Sequence, residues 1–263
     1  MLGERIPPRA VVEVTDAETL VLDDGSRVRL AGALAPRATD SVAPISFWQP
    51  EADAKAELTR LAASQTVDLR PIDRHRDRHG RILAHVFIRP PVGEERWLQG
   101  ELLSSGHARA HGIPGSFTCM DALLAAEALA RNAGRGLWQN PAYAIRHASR
   151  TYELLQLVGT YQVVEGVVTR AQRIKSGRVY LNFGDNWRED FSGSVSVSLS
   201  RSHPAWSAGL VDLAGRRVRI RGWISRRNGP LIEIEDPSQL EFIEPLAASR
   251  PDDDATPPAS PPR

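Results

Sequence analysis

Cysteine is nearly absent: Cys119 stands alone in 263 residues, which excludes an intramolecular disulfide framework and any cysteine-built zinc site. No run of about eighteen apolar residues exists to form a membrane-spanning helix. The opening residues, MLGERIPPRAVVEV, hold no apolar stretch ahead of a small-residue cleavage site, so a cytoplasmic protein without membrane contact is expected. Net charge is only +1, and no global field draws the chain to polyanions. Affinity for nucleic acid would have to come from local patches. Aromatic residues make up just 6%, so the few that gather at Tyr180, Phe183 and Trp187 stand out.

What is present reads as short strands broken by turns. AVVEV, TLVL and RVRLAG are separated by Thr15–Glu18 and by an Asp-Gly pair, predicting a three-stranded meander. Residues 35–49 carry proline without a clear period and read as a surface loop. PEADAKAELTRLAA places Ala54, Leu58 and Leu61 at helical spacing behind Pro50. TVDLRPI and ILAHVFI are strands around the charged segment DRHRDRHGR. A short helix closed by Gly106 follows, then a longer one ended by Gly134, with apolar positions at Met120, Leu123, Leu124 and Leu129.

Two arginines stand out in this frame. Arg29 ends an alternating strand and Arg81 follows a His-Gly turn. A planar guanidinium matches phosphate oxygens and stays charged at any working pH, so the pair is a candidate phosphate clamp. Asp73, His75, Asp77 and His79 alternate closely enough to suggest a substitute site for zinc or manganese, although a solvated charged hairpin accounts for them as well.

The ordered concurrence of TDAETL, VRLAG-xx-AP, the helix near Pro50, DRHGR-x-LA, L-x-x-G-x-A-R and C-x-x-x-L-x-x-A-E-x-x-AR-x-x-x-GLW over residues 10–138 resembles the staphylococcal (micrococcal) nuclease, or thermonuclease-like, family. The resemblance implies an OB-like barrel and a calcium-dependent phosphodiesterase acting on DNA and RNA. In it, carboxylates hold the ion, a glutamate assists the attacking water, and two arginines, here Arg29 and Arg81, stabilise the phosphorane. Glu18 falls at a metal-binding aspartate beside Asp16, which makes Asp16 and Glu18 the candidate metal ligands and Arg29, Arg81 and Glu18 the candidate catalytic set. The second metal aspartate is replaced by Leu34 and the general-base glutamate by Arg37. Leucine cannot ligate calcium and arginine cannot accept a proton from water. The expectation is therefore a degenerate calcium site in which Arg29, Arg37 and Arg81 bind phosphate without metal. His79, where the family often has a tyrosine near the base, could still stack on one. Glu127 and Trp138 match recurrent helix positions and read as packing and hydrogen bonding.

After a connector at Pro141–Ser149, YQVVEGVVTRAQRI, RVYLNFGD, GSVSVSLS, RRVRIRGWISRR and LIEIED give five strand-like runs with a helix-sized segment between the third and fourth, the order of an OB fold. Its binding face would be flanked by Arg170, Arg173 and Lys175 on one side and Arg226 and Arg227 on the other, with Tyr180, Phe183 and Trp187 between. Basic loops around aromatics suit single-stranded nucleic acid. Alternating aromatics can equally be core.

The expected fold class is α+β, mainly strand: a nuclease-like OB barrel over residues 10–146 after an N-terminal segment 1–9, a linker at 147–150, a second five-stranded OB-like barrel over 151–245, and a proline-rich acidic tail over 246–263 that reads as disordered. The leading functional expectation is nucleic-acid or phosphorylated-ligand binding with weak or no nuclease activity. The alternatives are a phosphodiesterase in which another carboxylate, such as Asp40, replaces the lost base, and a protein-docking scaffold.

Overall fold

Turn chemistry sets the first three strands in place. The computed structural model describes residues 6–41, 47–90, 92–113 and 119–243, and the side chains of all these except 73–75. The predicted tail at 246–263 lies outside the described residues. β1 (Ile6–Asp16) reverses at Asp16, whose carboxylate accepts the Glu18 N–H at 2.8 Å, into β2 (Thr19–Leu22). Gly25, at φ +79°, supplies the left-handed position that returns the chain as β3 (Arg27–Leu30). After the short β4 (Ala33–Leu34), helix α1 (Gln49–Ala62) starts with proline in its first turn and buries Ala54, Leu58, Leu61 and Ala62.

β5 (Thr66–Arg76) continues through most of the charged segment that reads as a turn, leaving only Asp77–Gly80 to reverse into β6 (Ile82–Ile88). β1 pairs with β2 through its second half and with β5 through its first, while β3 pairs parallel with β6. The five strands thus close on themselves in the order β1-β2-β3-β6-β5, a closed barrel of OB type. Leu20, Val28, Val67, Leu69 and Val86 are fully buried inside, and each such aliphatic side chain contributes about 1.5–3 kcal/mol.

β7 (Arg96–Trp97) edges β6, and α2 (Leu98–Ser104) packs on β6 and on α3 (Met120–Asn132). β8 (Arg109–Ala110) lies antiparallel to β4. The inner stripe of α3 is Met120, Leu123, Glu127 and Ala130, with Leu124 partly buried, whereas the predicted apolar position Leu129 is 64% exposed. A carboxylate takes the inward place because it has partners there, described below.

The second unit has its own core, from Ala148 to Leu240. The expected connector is partly ordered into it: β9 (Arg146–His147) adds parallel to the second sheet, and α4 (Thr151–Gln156), which sequence periodicity did not mark, buries Leu154. β10 (Tyr161–Val167) and β11 (Arg170–Arg173) are consecutive halves of the first long run. β12 (Val179–Asn182) and β13 (Ser192–Val195) follow. The end of GSVSVSLS is helix rather than strand, because Ser196 accepts the Leu199 N–H and caps α5 (Val197–Ser202). α6 (Pro204–Gly209) completes the inserted helical segment before β14 (Arg217–Arg227), β15 (Gly229–Ile234) and the short β16 (Leu240–Phe242). The sheet runs β11-β12-β13-β15-β14-β10, with β13 and β15 parallel, and curls into a half-barrel.

Ionic and hydrogen-bonding contacts join the two units. Arg221 on β14 forks onto Glu127 on α3 through two hydrogen bonds of 3.0 Å, and its Nη1 also donates to the Ala110 carbonyl. Glu241 of β16 takes the remaining Nη2 donor. Arg109 donates to the Tyr161 carbonyl at 2.6 Å and to Asp40 at 3.0 Å, and the Tyr161 hydroxyl donates to the Ala110 carbonyl at 3.1 Å.

Candidate functional sites

Glu18 enters the first site from the β1–β2 turn, with only 3% of its side chain exposed. Its Oε1 accepts the Ala35 N–H at 2.9 Å, and its Oε2 accepts Arg29 Nε at 3.1 Å and Arg37 Nη2 at 2.7 Å. Arg29 stands on β3 opposite Thr19 of β2, and the Thr19 hydroxyl in turn accepts Arg81 Nη1 at 2.9 Å. Arg81 Nε donates to Asp77 Oδ2 at 2.7 Å, while Asp77 Oδ1 accepts the N–H groups of His79 and Arg81 and so builds the turn.

Arg29, Arg37 and Arg81 therefore converge, lining one cleft of about 310 Å³ together with His79 and His111. Each is already paired with a carboxylate, which a free clamp read from sequence would not have. Arg37, on the loop after β4, is anchored to Glu18.

An adjoining cleft of about 480 Å³, which shares Arg37, His79 and Arg81 with the first, holds Asp16, Glu18 and Glu51 with Arg27. Its carboxylates are engaged: Asp16 by the Glu18 N–H, Glu51 by the Ala38 N–H, and Glu18 by three donors. Leu34 is 3% exposed in the β4–β8 ladder. Among the described residues, no group of three His, Cys, Asp or Glu side chains could hold a metal ion. A hard cation needs several free oxygen donors, so the residues here do not fit the calcium ion that the resemblance implies.

The other candidates separate similarly. Asp40 is buried, and its Oδ2 accepts the Arg37 N–H, Arg109 Nη2 and the Tyr143 hydroxyl, each at 3.0 Å. Three structural donors thus converge on one oxygen of the carboxylate that the sequence offers as a replacement base. Burial and the Asp40 charge push the Tyr143 hydroxyl well above its ordinary pKa. For the alternating Asp/His segment, Asp77 is consumed by its turn, and the side chains of Asp73 and His75 lie outside the described residues. Burial, with Arg29, Arg109, Arg221 and Arg37 around it, pulls the His111 pKa from 6.5 down to about 4. His111 was not singled out by any motif.

A second groove, of about 450 Å³, opens on the outer face of the second sheet. Cross-strand register places Arg170 opposite Asn182 and Gln172 opposite Tyr180, and the β14–β15 hairpin adds Arg227 beside Asn228 at φ +67°. Tyr180 and Trp187 line it, Trp187 is half exposed, and the Arg188 guanidinium lies 4.5 Å from the Trp187 ring. Of the residues expected on this face, Arg170, Tyr180, Trp187 and Arg227 come together. Phe183 does not: it is buried against Phe191, with ring centroids 5.2 Å apart, and belongs to the core. Arg173 is turned to α6, donating to the Ser207 carbonyl at 2.7 Å and hydroxyl at 2.9 Å. Lys175 and Arg226 are exposed outside the groove wall.

Among the described residues no helix is long and apolar enough to cross a membrane. A search of curated proteins finds no match. Residues 27–140 match the family model of Staphylococcal nuclease homologue, and the closed barrel with helices packed on it agrees with that match.

Proposed function

We propose that this protein binds single-stranded nucleic acid and does not hydrolyse it by a metal-dependent route. The observation that carries the reading is the groove of the second sheet, which the rings of Tyr180 and Trp187 line together with Arg170 of β11 and Arg227 at the end of β14. Bases stack on any aromatic face for about 1–3 kcal/mol each, and phosphates follow the cations, so such a surface accepts a flexible strand with little sequence preference. The nuclease-like domain supports the non-hydrolytic half of the reading. Its Glu18 carboxylate is neutralised by Arg29 and Arg37, and Asp16 and Glu51 in the same cleft already accept backbone N–H groups.

The test is fluorescence anisotropy with labelled single-stranded DNA and RNA over a salt series, run beside a cleavage assay with calcium, manganese or chelator. Binding that weakens with salt and drops about tenfold in Trp187→Ala and Arg227→Ala, with both strands intact, is the expected result. Metal-dependent cleavage that disappears in Arg81→Ala would make the protein a working phosphodiesterase. Absence of both binding and cleavage would leave protein docking as the role of the two units.

A further inference from the structure

We infer that Asn182, held by Ser192 on the floor of the second-sheet groove, reads bases and selects those that present a carbonyl oxygen, so that the groove takes thymine or uracil in preference to adenine. The inference rests on the proposed strand binding and adds to it a preference that stacking and phosphate contacts do not supply.

Register builds the floor. Arg170 of β11 stands opposite Asn182 of β12, Asn182 opposite Ser192 of β13, and Ser192 beside Leu231 of β15, so one row crosses four strands. All four residues line the groove. Side chains alternate along a strand, so Tyr180 projects from the same face as Asn182, while Val179 and Leu181 go to the core. Two residues along a strand span about 7 Å, and a base stacked on Tyr180 turns an edge toward Asn182.

What Asn182 offers that edge is fixed by Ser192. A carboxamide carries an acceptor oxygen and a donor NH2 group, and one that can turn over presents either. Gln172 and Asn228 are of that kind: both are exposed, and neither side chain has a hydrogen-bond partner among the described residues. Asn182 differs. Its Oδ1 accepts the Ser192 hydroxyl at 3.0 Å, Ser192 is itself 6% exposed, and the Nδ2 donors are the part left for a ligand. Among the described residues that line the groove none is acidic, and Arg170 and Arg227 add guanidinium donors outside any ion pair.

The floor is therefore a donor surface. Thymine and uracil bring two carbonyl oxygens to it and cytosine brings one. Adenine brings none, and the amino group beside its N1 and N7 sets donor against donor. A site built to hydrogen-bond one group rejects the ligand that leaves its own polar atoms unpaired.

The experiment is fluorescence anisotropy of the full chain with labelled dT, dC and dA hexamers, the parent beside Trp187→Ala, Asn182→Leu and Ser192→Ala. In the parent, dT should bind about three- to tenfold more tightly than dA, with dC between them. Trp187→Ala should weaken all three alike. The preference should collapse in both floor variants for opposite reasons: in Asn182→Leu because dT weakens, and in Ser192→Ala, whose carboxamide is free to turn, because dA tightens. A merely structural role for the pair would not tighten dA. The self-stacking of a dA strand gives a preference of its own, but one that would persist in both floor variants, and such persistence overturns the inference. Equal binding of the three hexamers by the parent, or tighter binding of dA, overturns it as well. If Trp187→Ala still weakens the strand in those cases, strand binding stands and base reading alone is lost. A parent that binds none of the hexamers overturns both.

Discussion

Arg221 of the second sheet and Glu127 of helix α3 are both fully buried and meet through two parallel hydrogen bonds of 3.0 Å, although ninety-four residues separate them in sequence. Burial alone would raise the Glu127 pKa, yet Arg221, the Ala110 N–H and Arg131 together hold it below the usual carboxylate range. Burial likewise opposes the charge on Arg221, and Glu127 and Glu241 more than offset it, raising its pKa. A pair of this kind need not stabilise relative to an apolar pair, but removing one partner strands a buried charge.

That asymmetry gives the first prediction. Arg221→Met alone, or Glu127→Leu alone, should cost about 3–5 kcal/mol in urea unfolding, and the double variant much less than the sum. Because the partners come from separate cores, the loss should reach both units. A single-variant cost below about 1 kcal/mol would mean that the network is not a stabilising link between them.

The same pair marks the limit of what the sequence discloses. Strand runs, the Pro50 helix, the glycine-ended helices and the helix between the third and fourth strands of the second sheet are local patterns, and all were legible. Long-range partnership was not. Glu127 reads from sequence as a packing and hydrogen-bonding position, but nothing local names its partner Arg221 on the second sheet, and Leu129, apolar by type, is left outside. Arg29, Arg37 and Arg81 could be nominated from chemistry, whereas their fixation by Glu18 and Asp77 depended on the register of three strands. Phe183 and Trp187 are four residues apart and equally aromatic. Only the position of Phe191 decides that one is core and the other surface.

That contrast is testable. Phe183→Ala empties a buried position and should cost about 3–5 kcal/mol of stability. Trp187→Ala, at a half-exposed ring, should leave the melting temperature nearly unchanged while weakening single-strand binding by about 1–3 kcal/mol. Equal effects of the two variants on stability, or on binding, would sink the assignment of Trp187 to the groove and Phe183 to the core.

His111 sets a pH dependence. Its ring lies edge-on to Tyr161 at 5.3 Å, and burial with Arg29, Arg109, Arg221 and Arg37 lowers its folded pKa to about 4. Between about 6.5 and 4 the unfolded chain takes up a proton that the folded chain refuses, so stability falls as pH falls through that window, by at most about 3 kcal/mol. Glu127 and Glu165, whose folded pKa values are lowered, add their own loss only further down, as pH drops through the carboxylate range. In His111→Gln the slope of unfolding free energy against pH should flatten between 6.5 and 4.5, with the steeper acid limb retained. An unchanged slope would show that His111 is not the group refusing the proton.

The mismatch with calcium can be reversed by design. Arg37→Glu removes the guanidinium from Glu18 and returns a carboxylate to that position, and Leu34→Asp adds a second oxygen donor beside it. Leu34 is 3% exposed, so the aspartate alone should destabilise the chain by burying an unpaired charge. A bound calcium ion would offset that cost, because an ion that binds only the folded state stabilises in proportion to the logarithm of its concentration over Kd. The double variant should therefore show a calcium-dependent rise in melting temperature of several degrees, absent from the parent and from Leu34→Asp alone, where Arg37 still occupies Glu18. If the parent itself shows such a rise, its carboxylates are free enough to ligate despite Arg37.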